Sequence, residues 1–299
     1  MSSVQGLLTR RPIGLIARTF ATKPEQVPDR VKQVRETVNQ ALALRIDGMP
    51  VIRRIDVPVF ADKRYGARAD CGDTAAAMRK EFGDVKEVTV HEVKHGDLFC
   101  GVLNYAIGKQ VRAGMDYSLI LSSDARSYFT NETMAGVLEA ACAGAKAVGV
   151  AITELTQSIL EGRLANTFCL WDNEALVRVG LFDLRAAMPE DEKRAHHIVD
   201  FSKEKNGHIW YAVAGVEEAI PLSRLVGMFA DHPCLAPVLP RGDGVKAYQV
   251  PDPQKDPEGW FRHLSKMGTK RQRQSELLSY VGCAPDYLMG GVMEQYRTF

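Results

Sequence analysis

The stretch SLILSSDARSYFTNETMAGVLEAACAGAKAVGVAI, residues 118–152, decides how this chain is read. Its apolar run at Leu119, Ile120 and Leu121 is too short for a helix and suits a buried strand. Ser122, Ser123 and Asp124 close the run with residues that favour turns. Thr130 is placed to cap a helix, and Met134, Val137, Leu138 and Ala141 follow at helical spacing. A second apolar run over 147–152 reads as another strand. Strand, turn, helix and strand in that order are the unit of a mainly parallel sheet with helices on both faces.

The same alternation extends upstream. Residues 13–17 (IGLIA) read as a buried strand. Pro28 suits the first turn of a helix, with Val31, Val34, Val38, Ala41 and Leu42 inward. Residues 55–61 (IDVPVFA) read as a second strand, in which Pro58 fits best near an edge or a bulge. A helix is expected over 74–82, and a third strand around Val88 and Val90. Asp97 is placed to cap the next helix, with Leu98, Val102, Tyr105 and Ala106 inward. Right-handed crossovers then bring the strand C-termini to one edge, where open α/β sheets bind ligands.

Downstream the pattern is less regular. A strand is expected over 166–171, a short helix over 172–179 and a charged helix over 190–205. A strand over 209–214 and a helix over 221–229 follow. Residues 239–259 carry Pro240, Pro251, Pro253 and Pro257 and read as a linker, ahead of a basic tail. The expected division is therefore 1–238 as the α/β domain and 239–299 as linker and helical extension.

Composition narrows the function. Lys and Arg total 38 and Asp and Glu 37, a net charge of +1, so no global field draws the chain to nucleic acid. No apolar run is long enough to span a bilayer. The six cysteines form no C-x-x-C pair and read as buried thiols of a reducing compartment, the cytoplasm. Residues 1–24 hold four basic residues and no acid, which also suits a targeting segment. A first strand at 13–17 is the preferred reading, because the sheet needs one there.

Two carboxylates stand at strand ends. Asp124, on the ligand edge, can hold a divalent cation that neutralises a diphosphate. Asp62 can accept hydrogen bonds from a nucleobase or ribose. The segment after the first strand, RTFATKP, lacks glycine, which counts against a nucleotidyltransferase. G-x-G-x-x-G and P-loop signatures are missing, which counts against dinucleotide-binding dehydrogenases and P-loop enzymes. His196 and His197 are adjacent and diverge, against a metal pair; His91 and His95 flank a strand end with no evident partner.

The segment GDLFCGVLNYAIGKQVRAGMDYSLILSSD, residues 96–124, resembles the family-2-like glycosyltransferases of the GT-A fold. Gly101, Asn104, Ala113, Gly114 and Asp124 fall at that family's motif positions. NTFCLWDNEALVRVGLFD, residues 166–183, resembles the acceptor-side segment, with Val179, Gly180, Phe182 and Asp183 in its Val-Gly-x-Phe-Asp run. The resemblance covers roughly residues 13–230. It departs at Arg18-Thr19-Phe20 on the first strand, at the single Asp62, and at Asp124, which stands alone behind two serines.

The resemblance implies transfer of a sugar, hexosyl in kind, from a nucleotide-sugar donor to an acceptor, assisted by Mn²⁺ or Mg²⁺. It implies Thr19, Asp62, Asn104 and Ser123 for the nucleotide and Asp124 for the metal. It also implies a general base after the Val-Gly-x-Phe-Asp run. Glu190-Asp191 and Glu217-Glu218 both qualify. The second pair is preferred, because it lies between a strand and a helix with apolar flanks. Trp171 and Asp172 offer a ring and a carboxylate to an acceptor sugar, with core packing of Trp171 as the alternative. Two other functions stay open: a nucleotide-sugar-binding relative without turnover, acting as sensor or scaffold, and a nucleotidyltransferase.

Overall fold

A computed structural model describes residues 3–62, 70–95, 98–151, 164, 167–186, 216–245, 252–257, 259–260, 274–275, 277–279 and 281–283. The elements are α1 (Val4–Arg10), β1 (Ile13–Ile16), α2 (Val27–Ala43), β2 (Arg45–Ile46), β3 (Met49–Pro50), β4 (Ile52–Phe60), α3 (Thr74–Phe82) and β5 (Val88–Val93). They continue with α4 (Leu98–Arg112), β6 (Tyr117–Leu121), α5 (Asn131–Cys142), β7 (Ala147–Val150), β8 (Phe168–Asp172), α6 (Asn173–Arg178), α7 (Ala219–Met228) and β9 (Leu235–Val238).

Seven strands form one sheet in the order β5-β4-β1-β6-β8-β7-β9. β8 runs antiparallel to β6 and β7, and the other pairings are parallel. The expected mixed, mainly parallel sheet flanked by helices is the observed one. Both faces are buried, so the strands read as apolar runs rather than as alternating patterns. Ile13, Leu15, Ile55, Val57 and Leu119 join residues of α1, α2, α3 and α5 in one core. Ile16, Ile120, Cys169 and Trp171 join residues of α4, α6 and α7 in the other.

A polar seam fastens α4 to the sheet. Gln110 is fully buried; its Nε2 donates to the Leu15 carbonyl (3.0 Å), and its Oε1 accepts from the Ser118 hydroxyl (2.7 Å). Gly14 lies directly beneath: a Cβ there would sit 2.4 Å from Gln110 Cδ, so the site needs a residue without one. On β4, buried Asp56 accepts from Arg54 Nε and Nη2, each at 2.8 Å, and lies 2.6 Å from His91 Nε2. Burial raises the Asp56 carboxyl, but bonds from His91 and Arg54 outweigh it and hold the group below its ordinary 3.8. His91, which the sequence left without a partner, thus has one. None of the six cysteines is in a disulfide, among the described residues.

Several elements differ from expectation. Residues of the N-terminal segment form α1, capped by the Ser3 hydroxyl, and Leu7 and Leu8 are buried in the core. β2 and β3 form a hairpin whose turn, Asp47 and Gly48, has positive φ at both residues. β9 was not foreseen; it completes the sheet beside β7. Pro58 lies on the inner strand β4 and not at an edge. It is tolerated because β1 ends at Ile16, so the ladder is already irregular where its missing N–H would point. The expected helix over 190–205 and strand over 209–214 lie outside the described residues, as do Glu190 and Asp191.

Candidate functional site

From β1 the chain steps to β4 and β5 on one side, then returns through α4 to β6 on the other. The crevice between the C-terminal ends of β1 and β6 is therefore the topological switch point, where open sheets bind ligands. The register pairs Ile16 with Ile120, so the two chains leave the sheet level with each other. Arg18 and Thr19 follow one end; Ser122, Ser123 and Asp124 follow the other.

Thr19 is buried and bridges Val59, its N–H donating to the Pro58 carbonyl at 3.2 Å. Asp62, two residues beyond β4, is also buried on this edge. Ser123 is exposed and opens the first turn of the 3₁₀ helix Ser123–Tyr128. Asp124 lies in that turn, and its side chain is outside the described ones. The neighbouring Ser122 Oγ is shielded from solvent and has no hydrogen-bond partner among the described residues. A buried orphan of this kind costs about 1–3 kcal/mol, so it marks a place where a ligand group would fit.

Charges converge beside the crevice. Glu217 and Glu218 are 9% and 2% exposed and precede α7, whose N-terminal dipole favours negative charge. Burial pushes the Cys100 thiol well up, and the carboxylates of Glu217, Asp183 and Glu218 push it further, while Arg18 opposes them. Burial brings the Arg18 guanidinium down to about 10, with Glu217 opposing. The residue after β1, the first turn of α4, the loop after α6 and the start of α7 therefore share one electrostatic neighbourhood. Glu217 thus shares its electrostatic surroundings with Arg18, the residue before Thr19.

Three expected site residues are placed differently. Asn104 clasps the backbone of Phe182: its Nδ2 donates to the Phe182 carbonyl (2.7 Å), and its Oδ1 accepts the Phe182 N–H (3.0 Å). Trp171 is fully buried, its ring edge-on to Phe182 at 5.2 Å, which is the packing alternative. Asp172 pairs with Tyr117, the first residue of β6, and so lies at the opposite edge of the sheet from the switch point. There its carboxylate caps α6 through the Ala175 N–H and meets Arg11 (3.3 Å) and Lys146 (3.1 Å). Arg18, Asp183 and Arg224 were not singled out as site residues by sequence. Asp183 carried a signal in the Val-Gly-x-Phe-Asp run; Arg18 and Arg224 carried none, because burial and convergence are tertiary properties.

No family model matches the chain, and no curated protein matches it. Solved structures similar in fold include the mannosyltransferase PcManGT from Pyrobaculum calidifontis, in complex with GDP-Man and Mn²⁺. It is 12% identical with a TM-score of 0.49, over 99% of this chain and 76% of that one. Glucosyl-3-phosphoglycerate synthase from Mycobacterium tuberculosis, with Mn²⁺, UDP and glucosyl-3-phosphoglycerate, is 13% identical with a TM-score of 0.48, over 93% and 83%. The 4-diphosphocytidyl-2C-methyl-D-erythritol synthase from Anaerococcus prevotii is 12% identical with a TM-score of 0.42, over 79% and 92%.

Proposed function

We propose that this chain is a glycosyltransferase that moves a hexosyl group from a nucleotide-sugar donor to an acceptor hydroxyl. The observation that carries the proposal is the convergence at the switch point: acids and hydroxyls after β1, β4 and β6 on one side, buried Glu217 and Glu218 on the other. Thr19, Asp62 and Ser123 would line the nucleotide, with Ser122 Oγ as a further donor. Glu217 or Glu218 would take the acceptor proton, a role that asks for a carboxylate shielded from bulk water.

A divalent cation, Mn²⁺ or Mg²⁺, fits this donor set only sparsely. Among the described residues no group of three or more His, Cys, Asp or Glu is placed to hold a metal. Asp124 would supply the one carboxylate, and the donor's own diphosphate and water would complete the shell. When bound, the ion stabilises charge on the departing nucleoside diphosphate.

Thermal shift with UDP- and GDP-sugars, with and without Mn²⁺, tests the proposal. At a hundred times Kd, binding adds about 2.7 kcal/mol. That raises Tm by roughly 5–10 °C for a domain of this size. The expected result is a metal-dependent shift with slow nucleoside diphosphate release, both reduced by Asp124→Asn. No shift with any nucleotide removes the assignment. The lone acid of the metal motif favours one other reading, a nucleotide-sugar sensor, for which the shift comes without turnover.

A further inference from the structure

β1 ends at Ile16, but the chain beyond it goes on bonding to β4 at alternate residues. The Ala17 N–H donates to the Asp56 carbonyl (3.0 Å) and the Thr19 N–H to that of Pro58 (3.2 Å). β4 stops at Phe60, so the next residue of that series, Ala21, has no residue of β4 left to bond. Residues 70 and 71 take over. The Asp70 N–H donates to the Phe60 carbonyl (2.8 Å), which sets this segment against the end of β4. The Cys71 N–H donates to the Ala21 carbonyl (2.7 Å), and the Ala21 N–H donates to Asp70 Oδ1 (2.9 Å). Both backbone polar groups of a fully buried residue are thereby held.

The other oxygen of the same carboxylate serves α3. Asp70 Oδ2 accepts the N–H groups of Gly72 (3.0 Å) and Thr74 (3.3 Å), the second being the first residue of that helix. Asp73, at the N-cap, makes no side-chain cap bond, so the helix start draws its acceptor from Asp70. One side chain therefore joins the loop after β1 to the start of α3. That loop is extended, and alternate residues of an extended chain project to opposite faces, so a slip of one residue exchanges them. Phe20 packs against Phe60, Val93 and Val102, while Thr19, its neighbour on the other face, bridges Val59. Among the described residues, the next hydrogen bonds along the loop are local: the Thr22 N–H and hydroxyl both donate to Gln26 Oε1 (3.1 and 3.2 Å). They do not tie it to the sheet, and Asp70 and Cys71 do.

We infer that Asp70 is a positioning residue of the donor site: it pins the register of the loop after β1 and, through that loop, sets Thr19 against the nucleotide. Asp70 touches no ligand in this role, since its two oxygens are engaged by Ala21, Gly72 and Thr74. The inference rests on the donor reading above, in which Thr19 lines the nucleotide.

The test is nucleoside diphosphate release from UDP- and GDP-sugars in Mn²⁺, with water as acceptor, read as kcat and donor KM separately. A loosened loop weakens the donor's ground state and transition state alike. Asp70→Ala is therefore expected to raise the donor KM about thirtyfold and leave kcat within about threefold. Asp70→Asn keeps an oxygen for the Ala21 N–H and loses the second acceptor, so it should recover part of the loss, with KM up about tenfold. Asp56→Asn, which breaks a buried pair away from this loop, is the control for lost stability: its Tm should fall while its KM stays within about threefold of wild type. A KM within about threefold of wild type for Asp70→Ala, or a rise that Asp56→Asn matches, overturns the inference and leaves the donor reading standing. A wild-type chain that neither binds nor cleaves any donor overturns both, and that failure is visible before any variant is made. Should Asp70→Ala not fold, Asp70→Asn decides on the same threshold.

Discussion

Ser122→Ala separates stability from function with opposite signs. The hydroxyl oxygen of Ser122, at the switch point, is shielded and has no partner among the described residues. Leaving a buried polar group unsatisfied costs about 1–3 kcal/mol, so its removal should stabilise the ligand-free chain, by about 1 kcal/mol at the lower end. For a domain this large that raises Tm by roughly 2–4 °C. With donor bound the sign reverses. A hydrogen bond to a charged diphosphate contributes about 1.5–3 kcal/mol, so its loss weakens binding by roughly 10- to 100-fold. At a donor concentration of a hundred wild-type Kd, ligand stabilisation then falls from about 2.7 to between about 1.4 and 0.4 kcal/mol. Two melting curves per protein, with and without UDP- or GDP-sugar and Mn²⁺, read both signs. A lower Tm in the ligand-free variant would show that the hydroxyl has a partner after all. An unchanged donor shift would show that it does not face the diphosphate.

Asp56→Asn is expected to destabilise the chain by about 3 kcal/mol near neutral pH, the cost of breaking a buried pair with Arg54 and His91. Because the folded carboxyl lies below its ordinary 3.8, its contribution is complete above that value and is lost as pH falls through the lower folded one. Urea midpoints of wild type and variant should therefore converge below about pH 4, and parallel curves would contradict the assigned shift. Gly14→Ala drives a Cβ into the Gln110 amide and should cost about 2–4 kcal/mol, through overpacking and two strained bonds. Adding Gln110→Ala should return part of it, and strictly additive losses would refute the clash. Glu217→Gln should lower turnover by about 10²–10⁴ with the donor thermal shift unchanged. A loss under about threefold sinks its role as base and leaves Glu218 to be tested in the same way.

Much of the architecture was visible in residue order. The alternation of 13–17, 55–61, 119–121 and 147–152 with amphipathic helices gave strands and helices that the structure contains. Thr130 sits where a cap was expected and its side chain accepts the capping N–H, whereas Asp172, read as an acceptor contact, proves to cap α6. The hairpin turn Asp47-Gly48 was missed although that dipeptide favours positive φ at both positions, because the strands beside it are only two residues long. β9 gave no strong pattern: Leu235 to Val238 holds a proline and gains its place only by pairing with β7.

By itself the sequence determined the elements, their faces and the acids at strand ends, because local propensity and periodicity act over a few residues. Which partners those residues meet was decided by the tertiary structure. The antiparallel run of β8 against β6 set Asp172 at the opposite edge from Ser122, though both flank apolar strands. Packing turned Asn104 from a nucleotide contact into a clasp on Phe182, and buried Trp171 away from any acceptor. The gathering of Arg18, Asp183, Glu217 and Glu218 across roughly 200 residues of chain has no local cause. It arises because the sheet's crossovers deliver four distant segments to one edge, where burial makes their charges feel one another.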